Sequence, residues 1–221
     1  MIDDRTLMWH ASHALLSPLS SILNLTDILL GGIAGPISAQ ARKDVEEMAA
    51  DAGALQQALD IVIDVLRIDG HRLRNMPLPL PVAVHRVADL LQRRTQMACT
   101  FDILVPEDLP AVHADEELLE RLLARLLSLV ARLTSPPITV RIIQHVGAVQ
   151  IVMGRADAML SPSAEEETDP PGQWLKGIAS LDLLACARMA YFLNARLRAD
   201  RATDGEVLLS LMLPAENLTR K

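Results

Sequence analysis

The earliest residues in the chain that could do chemistry are His10 and His13, which lie in a serine-containing segment. At about 100° per residue in a helix, His13 lies roughly 160° from the apolar stripe of Leu15, Leu19 and Ile22. The residues that share its side are polar: Thr6, His10, Ser17, Ser20, Asn24 and Asp27. A neutral imidazole exposed on such a face is a candidate nucleophile. The alternative is that both histidines are ordinary surface residues.

Two long helices are predicted to carry this face. Apolar residues spaced by threes and fours predict one amphipathic helix from about Asp3 to Leu30. A glycine-rich break follows at 31–36, and Ser38 is a candidate cap for the next helix. The second helix has the cleaner spacing, at Val45, Met48, Ala52, Leu55, Leu59, Val62 and Leu66. One hairpin offers too little surface for both stripes, so the sequence predicts a homodimer through a four-helix bundle. The alternative is a hairpin that packs only on its own downstream domain.

The rest of the chain has a different pattern. Proline-spaced residues 75–81 predict an extended linker between a helical hairpin at 1–74 and a second domain at 82–221. In the second domain we expect helices near 82–97, 115–133 and 178–193. We expect strands at 100–105, 138–145, 148–153, 196–200 and 206–213. These elements predict an α+β sandwich with helices on one mixed sheet.

Composition limits the function classes. The formal net charge of −7 among 221 residues disfavours a nucleic-acid footprint, which needs a basic face. Cys99 and Cys186 are far apart and have no Cys/His cluster around them, so we expect reduced thiols and no metal. Charged residues interrupt every apolar stretch and the N-terminus lacks a signal-peptide pattern, so no membrane segment is expected. We therefore expect a cytoplasmic protein with a protein partner.

The segment Ser12–Leu19, S-H-A-L-L-S-P-L, resembles the phosphoacceptor motif Ser-His-Glu-Leu-Arg-Thr-Pro-Leu of HisKA-type sensor histidine kinases. Residues 29–38 are similar to that family's hairpin loop, and 63–68 are similar to the end of its second helix. Residues 106–115 are similar to the run before its ATP-binding helix. The resemblance implies that His13 is the phosphoacceptor, with His10 as a rival, and that the second domain resembles the histidine-kinase ATPase domain.

The sequence departs from this family at the residues that handle ATP. Ala14 replaces the acidic residue that activates the histidine, and Ser17 replaces the residue that orients water for dephosphorylation. The Asn-containing helix aligns with 125–130, which has no asparagine. The two glycine boxes align with 154–158 and 180–184, which lack the required carboxylate and glycines. We expect no ATP and no other cofactor, with Leu129, Val130 and Leu184 filling the pocket and 161–172 as a remnant of the lid.

The resemblance extends to dimeric histidine phosphotransferases. It leads to two hypotheses. In the first, His13 relays phosphate between response-regulator receiver domains without autokinase activity. Ser17 would then position water or contact the partner, and His10, Leu16, Ser20 and Asn24 would bind the receiver. In the second, the chain is an inactive pseudokinase that uses the same face as a dimeric adaptor for a receiver domain or a kinase. A still-active kinase with a divergent pocket is a third reading.

Overall fold

The chain divides into two compact units, Met1–His71 and Arg72–Lys221. The computed structural model describes residues 4–69, 73–95, 100–156, 175–201 and 206–215. Within these ranges it describes every side chain except those of 4–13, 67, 69, 94 and 95.

The N-terminal unit is a helical hairpin of α1 (Asp4–Leu30) and α2 (Ala39–Asp69). Gly32 and Gly35 have φ values of 72° and 101° in the connecting loop, a conformation that residues with a Cβ rarely adopt. The Ser38 hydroxyl accepts a hydrogen bond of 3.1 Å from the amide of Ala41, as its predicted role as the cap of α2 requires. Neither helix, nor any other helix in the described ranges, is long and apolar enough to cross a membrane.

The apolar stripes of the hairpin are buried only in part. Leu19 is 4% exposed and Ala52 is 7% exposed, because these residues lie between α1 and α2. Six other stripe residues are between 41% and 55% exposed in the single chain: Leu15, Ile22, Met48, Leu55, Val62 and Leu66. Part of each stripe is therefore buried within the hairpin, and the rest is exposed on its surface.

Within its described residues, the C-terminal unit contains a five-stranded mixed sheet and three helices. Its elements are β1 (Met76–Leu78), α3 (Leu80–Thr95), β2 (Phe101–Leu104), β3 (Val112–Ala114), α4 (Glu116–Leu133), β4 (Ile138–His145), β5 (Ala148–Arg155), α5 (Ile178–Phe192), β6 (Arg196–Arg201) and β7 (Val207–Pro214). The sheet order is β2-β4-β5-β7-β6, in which β2 and β4 are parallel and the other pairs antiparallel. The short strands β1 and β3 form a separate antiparallel pair.

Helix α4 supplies much of the core of this unit. The Asp115 carboxylate caps its N-terminus by accepting a 3.0 Å hydrogen bond from the amide of Leu118. The other carboxylate oxygen accepts from the amide of Arg74 at 2.8 Å, which ties the start of the unit to α4. The apolar residues of α4 recur at helical spacing and are all buried: Leu118, Leu119, Leu122, Leu123, Leu126, Leu127, Leu129 and Val130. This spacing lays one broad leucine face against the sheet and the neighbouring helices.

The segment predicted to be an extended linker has more structure than expected. Met76–Leu78 is extended, but it is a strand paired with Val112–Ala114, and α3 already begins at Leu80. Pro77 fits in β1 because this pair has only two strands, so its missing amide interrupts no interior ladder. Three-residue strands have too few residues to show alternation, and the sequence therefore predicts neither β1 nor β3.

Candidate functional site

The predicted phosphotransfer face lies on α1. Ser17, Ser20 and Asn24 are exposed on the helix, and Leu16 is half-buried. The Ser20 hydroxyl donates to the carbonyl of Leu16 at 2.9 Å, and the Ser21 hydroxyl donates to that of Ser17 at 3.2 Å. These bonds to the preceding turn fix both hydroxyls against the backbone. The described part of this face is thus formed largely by small polar side chains.

His10 and His13 belong to the helical stretch of α1, but their side chains lie outside the described part of the chain. Position 13 is about one turn before Ser17, about two turns before Ser20 and about three turns before Asn24. The helix backbone therefore carries these positions on one side. The roles predicted for His13, Ser17, His10, Leu16, Ser20 and Asn24 stay predictions.

Ala14 and Pro18 determine which side-chain and backbone groups lie just after position 13. Ala14 is exposed and has no group that could accept a proton. Pro18 lies inside the helix and has no amide hydrogen, so the carbonyl of Ala14 cannot receive the usual bond from the residue four positions later. A carbonyl oxygen is therefore left without its helical donor one residue after His13.

Ion pairs between side chains join α4 and α5 at the segments that align with ATP-binding boxes. Arg125 on α4 donates to Asp182 on α5, with 2.9 Å between Nη1 and Oδ1. Arg132, in the last turn of α4, pairs with the other oxygen of the same carboxylate. The side chain of Asp182 is 7% exposed, against 17% for Arg125 and 36% for Arg132. We call these three residues the α4–α5 ion cluster. It holds one buried carboxylate between two guanidinium groups, and no sequence pattern indicated it.

The first glycine box aligns with the end of β5, where the structure gives Gly154 a packing role. A Cβ at Gly154 would lie 2.5 Å from Cδ2 of Leu208 and 2.9 Å from the carbonyl oxygen of Val207. The glycine therefore allows β5 and β7 to approach each other. The next residue, Arg155, pairs with Glu206 at 3.4 Å.

Of the three side chains predicted to fill a nucleotide pocket, two are buried and one is not. Leu129 and Val130 have no exposed surface and lie in the core. Leu184 is 48% exposed, so that part of the prediction is wrong; its neighbour Leu183 is the buried one. The two residues are adjacent, so their side chains point about 100° apart around α5. The sequence pattern did not indicate which side of α5 faces α4. The predicted lid remnant, 161–172, lies outside the described residues.

Cys186 lies one turn after Asp182 and is completely buried. Burial raises the pKa of its thiol far above the ordinary value, and the nearby Asp182 carboxylate raises this pKa further. A protonated buried thiol is neither a nucleophile nor a metal ligand. Cys99, the other cysteine, is outside the described residues. Among the described residues, no group of three or more His, Cys, Asp or Glu side chains could hold a metal ion.

Several solved histidine kinases share this fold. Full-length ShkA, solved in complex with AMPPNP, is 18% identical with a TM-score of 0.61 over 96% of this chain and 46% of its own. The Acinetobacter baumannii histidine kinase AdeS is 13% identical with a TM-score of 0.55 over 93% of this chain and 98% of its own. The mycobacterial sensor histidine kinase MprB is 19% identical with a TM-score of 0.50 over 66% of this chain and 100% of its own.

This chain therefore spans less than half the length of ShkA. It matches no protein-family model. It also matches no curated protein. At such low identities the likeness to the solved structures shows a common fold, a helical hairpin followed by an ATPase-like α/β unit.

Proposed function

We propose that the chain is a dimeric histidine phosphotransfer protein of two-component signalling. In this proposal His13 accepts phosphate from one response-regulator receiver domain and passes it to another, without autokinase activity. The α4–α5 ion cluster carries the proposal, because Arg125 and Asp182 stand at positions that align with two ATP-binding boxes of histidine kinases. The histidine-kinase fold and the motif around His13 supply the rest of the support.

The face of α1 suits an incoming receiver domain. Transfer between an aspartyl phosphate and an imidazole needs close approach, since the reacting atoms must come within about 3 to 3.5 Å. Ser17, Ser20 and Asn24 are small, exposed and uncharged. In this proposal Leu16 and His10 would contact the partner at the edge of the same face. Ala14 is tolerable in this reaction because the receiver's aspartate and Mg²⁺ supply the catalysis.

The exposed stripe residues of the hairpin support a homodimer. Met48, Leu55 and Val62 follow one another at intervals of seven residues on α2, the repeat of a helix that packs along a seam. Leu15 and Ile22 have the same interval on α1. A second copy would bury all five in a four-helix bundle, with one His13 face on each protomer.

A first test asks whether the protein binds ATP. Adding magnesium-ATP at millimolar concentration should leave the thermal unfolding midpoint unchanged, because ligand binding to the native state would raise it. Full-length ShkA, solved with AMPPNP, is a positive control. A rise of several degrees in this chain would refute the claim that the ATP site is lost.

A second test measures transfer directly. The protein is incubated with a panel of phosphorylated receiver domains, and loss of aspartyl phosphate is followed over time. We expect the wild type to dephosphorylate at least one receiver and to become labelled itself. His13→Gln should abolish labelling, because glutamine has no nucleophilic nitrogen. His10→Gln is the matched control on the same helix and should retain it.

Ala14 favours a second candidate, the inactive adaptor. Its methyl group cannot activate an imidazole, and an adaptor needs no activation. If the wild type binds a receiver domain but is never labelled, the adaptor replaces the phosphotransfer protein. If His10→Gln abolishes labelling and His13→Gln does not, the acceptor assignment is wrong.

A further inference from the structure

The sheet of the C-terminal unit has one face that no described helix covers. Along β5 and β7, alternate residues such as Val149, Ile151 and Leu211 are fully buried on the helix side. Their neighbours point the other way. The residues of this other face that matter here, which we call the open sheet face, are Arg141, Ile143, Gln150, Val152, Ser210, Met212, Arg196 and Arg198.

Strand register orders these residues into two cross-strand rows. The first row runs Arg141, Val152, Ser210 and Arg198 across β4, β5, β7 and β6. The second row runs Ile143, Gln150, Met212 and Arg196. Strands β5 and β7 thus carry uncharged side chains, and the arginines stand on the strands beside them, β4 and β6. Beyond β4, the edge strand β2 adds Leu104 next to Arg141. The face is a shallow trough over β5 and β7, and its walls carry Arg141 on one side and Arg196 and Arg198 on the other.

The floor of this trough needs no hydrogen bonds from a partner. The Gln150 amide donates to the Ser210 hydroxyl at 2.6 Å, and its oxygen lies 2.8 Å from Nε2 of His145. Both ends of the amide are therefore satisfied within the sheet. What remains for contact is the hydrocarbon of Val152, Met212 and Ile143, all half-buried in the chain by itself.

The width of the trough matches one helix. From β4 to β6 there are three strand spacings, about 14 Å in total. An α-helix with its side chains is about 10 Å across, so it fits between the two walls with room for the arginine side chains. Helices on the opposite side of this sheet already pack in the same manner.

The walls are basic although the chain is acidic. Arg141, Arg196 and Arg198 are exposed, whereas the whole chain has a net charge of −7. Among the described strand residues, the acidic groups on this face are Asp102 and Asp200, and both lie in the row beyond Arg141 and Arg198. Asp200 is 3.7 Å from Arg198. The two described rows therefore keep a positive excess, which an anionic occupant would neutralise.

We propose that the open sheet face binds an amphipathic helix of a partner protein, with an apolar stripe bordered on both sides by Asp or Glu. The stripe would lie on Val152 and Met212. The carboxylates on one border would pair with Arg141, and those on the other with Arg196 and Arg198. This site is separate from the α1 face, so its failure and that of the proposed phosphotransfer can be told apart.

The probe is a designed helical peptide with a leucine stripe bordered by glutamates, labelled with a fluorophore. Its twin has lysine in place of every glutamate. Titration of each peptide with the full chain gives the dissociation constant. We expect the glutamate peptide to bind about tenfold tighter than its twin, with a strong salt dependence. Amide chemical shifts should change along β5 and β7.

The double variant Arg141→Glu/Arg196→Glu should bind the glutamate peptide at least about tenfold more weakly and should now prefer the lysine peptide. The matched control Arg93→Glu/Lys176→Glu changes net charge equally at two exposed positions elsewhere and should retain the wild-type preference. If the reversed variant unfolds, Arg141→Gln/Arg196→Gln replaces it and should lose the preference between the two peptides.

Three results would overturn this proposal. The first is that neither peptide binds the full chain. The second is that both peptides bind with equal affinity, which would indicate apolar contact without the arginine walls. The third is that the control variant loses as much affinity as the trough variant, which would make the effect one of net charge.

Discussion

At Gly154 a single hydrogen in place of a methyl group sets the distance between two strands. The glycine backbone touches Leu208 and Val207 so closely that a Cβ would overlap both. Backbone cannot move away without separating β5 from β7, which pair over six residues. The glycine that stands where the aligned box would have its carboxylate is thus required by packing.

Gly154→Ala should destabilise the C-terminal unit by about 1 to 3 kcal/mol, the usual cost of overpacking a dense core. The control is Gly53→Ala in the interior of α2, where a Cβ would meet nothing within 4 Å. That change should stabilise the hairpin by about 0.5 to 1 kcal/mol, because alanine favours a helix over glycine. Urea unfolding measures both. Equal effects of the two substitutions would contradict the packing role.

At the scale of elements, the α4–α5 ion cluster joins two helices through one carboxylate. Because Asp182 is buried, removal of its charge takes a carboxylate away from two guanidinium groups in a region of low dielectric constant. Water reaches Arg132, which is 36% exposed, and this reduces the penalty for that group. The contribution of Asp182 to stability therefore comes chiefly from its pair with Arg125.

Asp182→Ala should lower the free energy of unfolding by about 3 kcal/mol, at the lower end for a broken buried pair. The double variant Arg125→Met/Asp182→Leu should recover most of that loss, since apolar side chains need no counter-charge there. Asp200→Ala, which removes the more exposed pair with Arg198, should cost less than about 1 kcal/mol. A loss for Asp182→Ala no greater than for Asp200→Ala would contradict the role of the cluster.

The sequence predicted long helices and strands, whose apolar pattern repeats over many residues, better than it predicted contacts between residues far apart in the chain. The spacing of α4 and the alternation of β4 and β5 predict those elements to within two residues. Strands β1 and β3 were missed because three residues contain less than two periods of a strand. Asp182 reaches Arg125 across 57 positions, and only tertiary packing brings such residues together. The α1 face was predicted from helical phase alone, which needs no tertiary information.

At the scale of the whole molecule, the proposed dimer depends on the exposed apolar residues of the hairpin. Leu55→Glu should convert the proposed dimer to a monomer of 24.1 kDa by light scattering, since a glutamate in the seam would be buried without a partner. Leu55 is 54% exposed in one chain, so the hairpin itself should stay folded and helical. Gln57→Glu, at an exposed polar position of the same helix, is the control and should stay dimeric. A wild-type monomer at micromolar concentration would contradict the four-helix bundle.

The position of β7 in the sheet has a consequence for how the protein is made. Strand β7 comes last among the described elements, yet it lies between β5 and β6 and hydrogen-bonds to both. A ribosome delivers the hairpin α1–α2 early, and its contacts are local enough to form during synthesis. The sheet must wait for residues 207–214, and until then β5 exposes an unpaired apolar edge. Chains truncated before residue 207 should therefore bind chaperones, whereas chains that extend through residue 215 should complete the sheet after release from the ribosome.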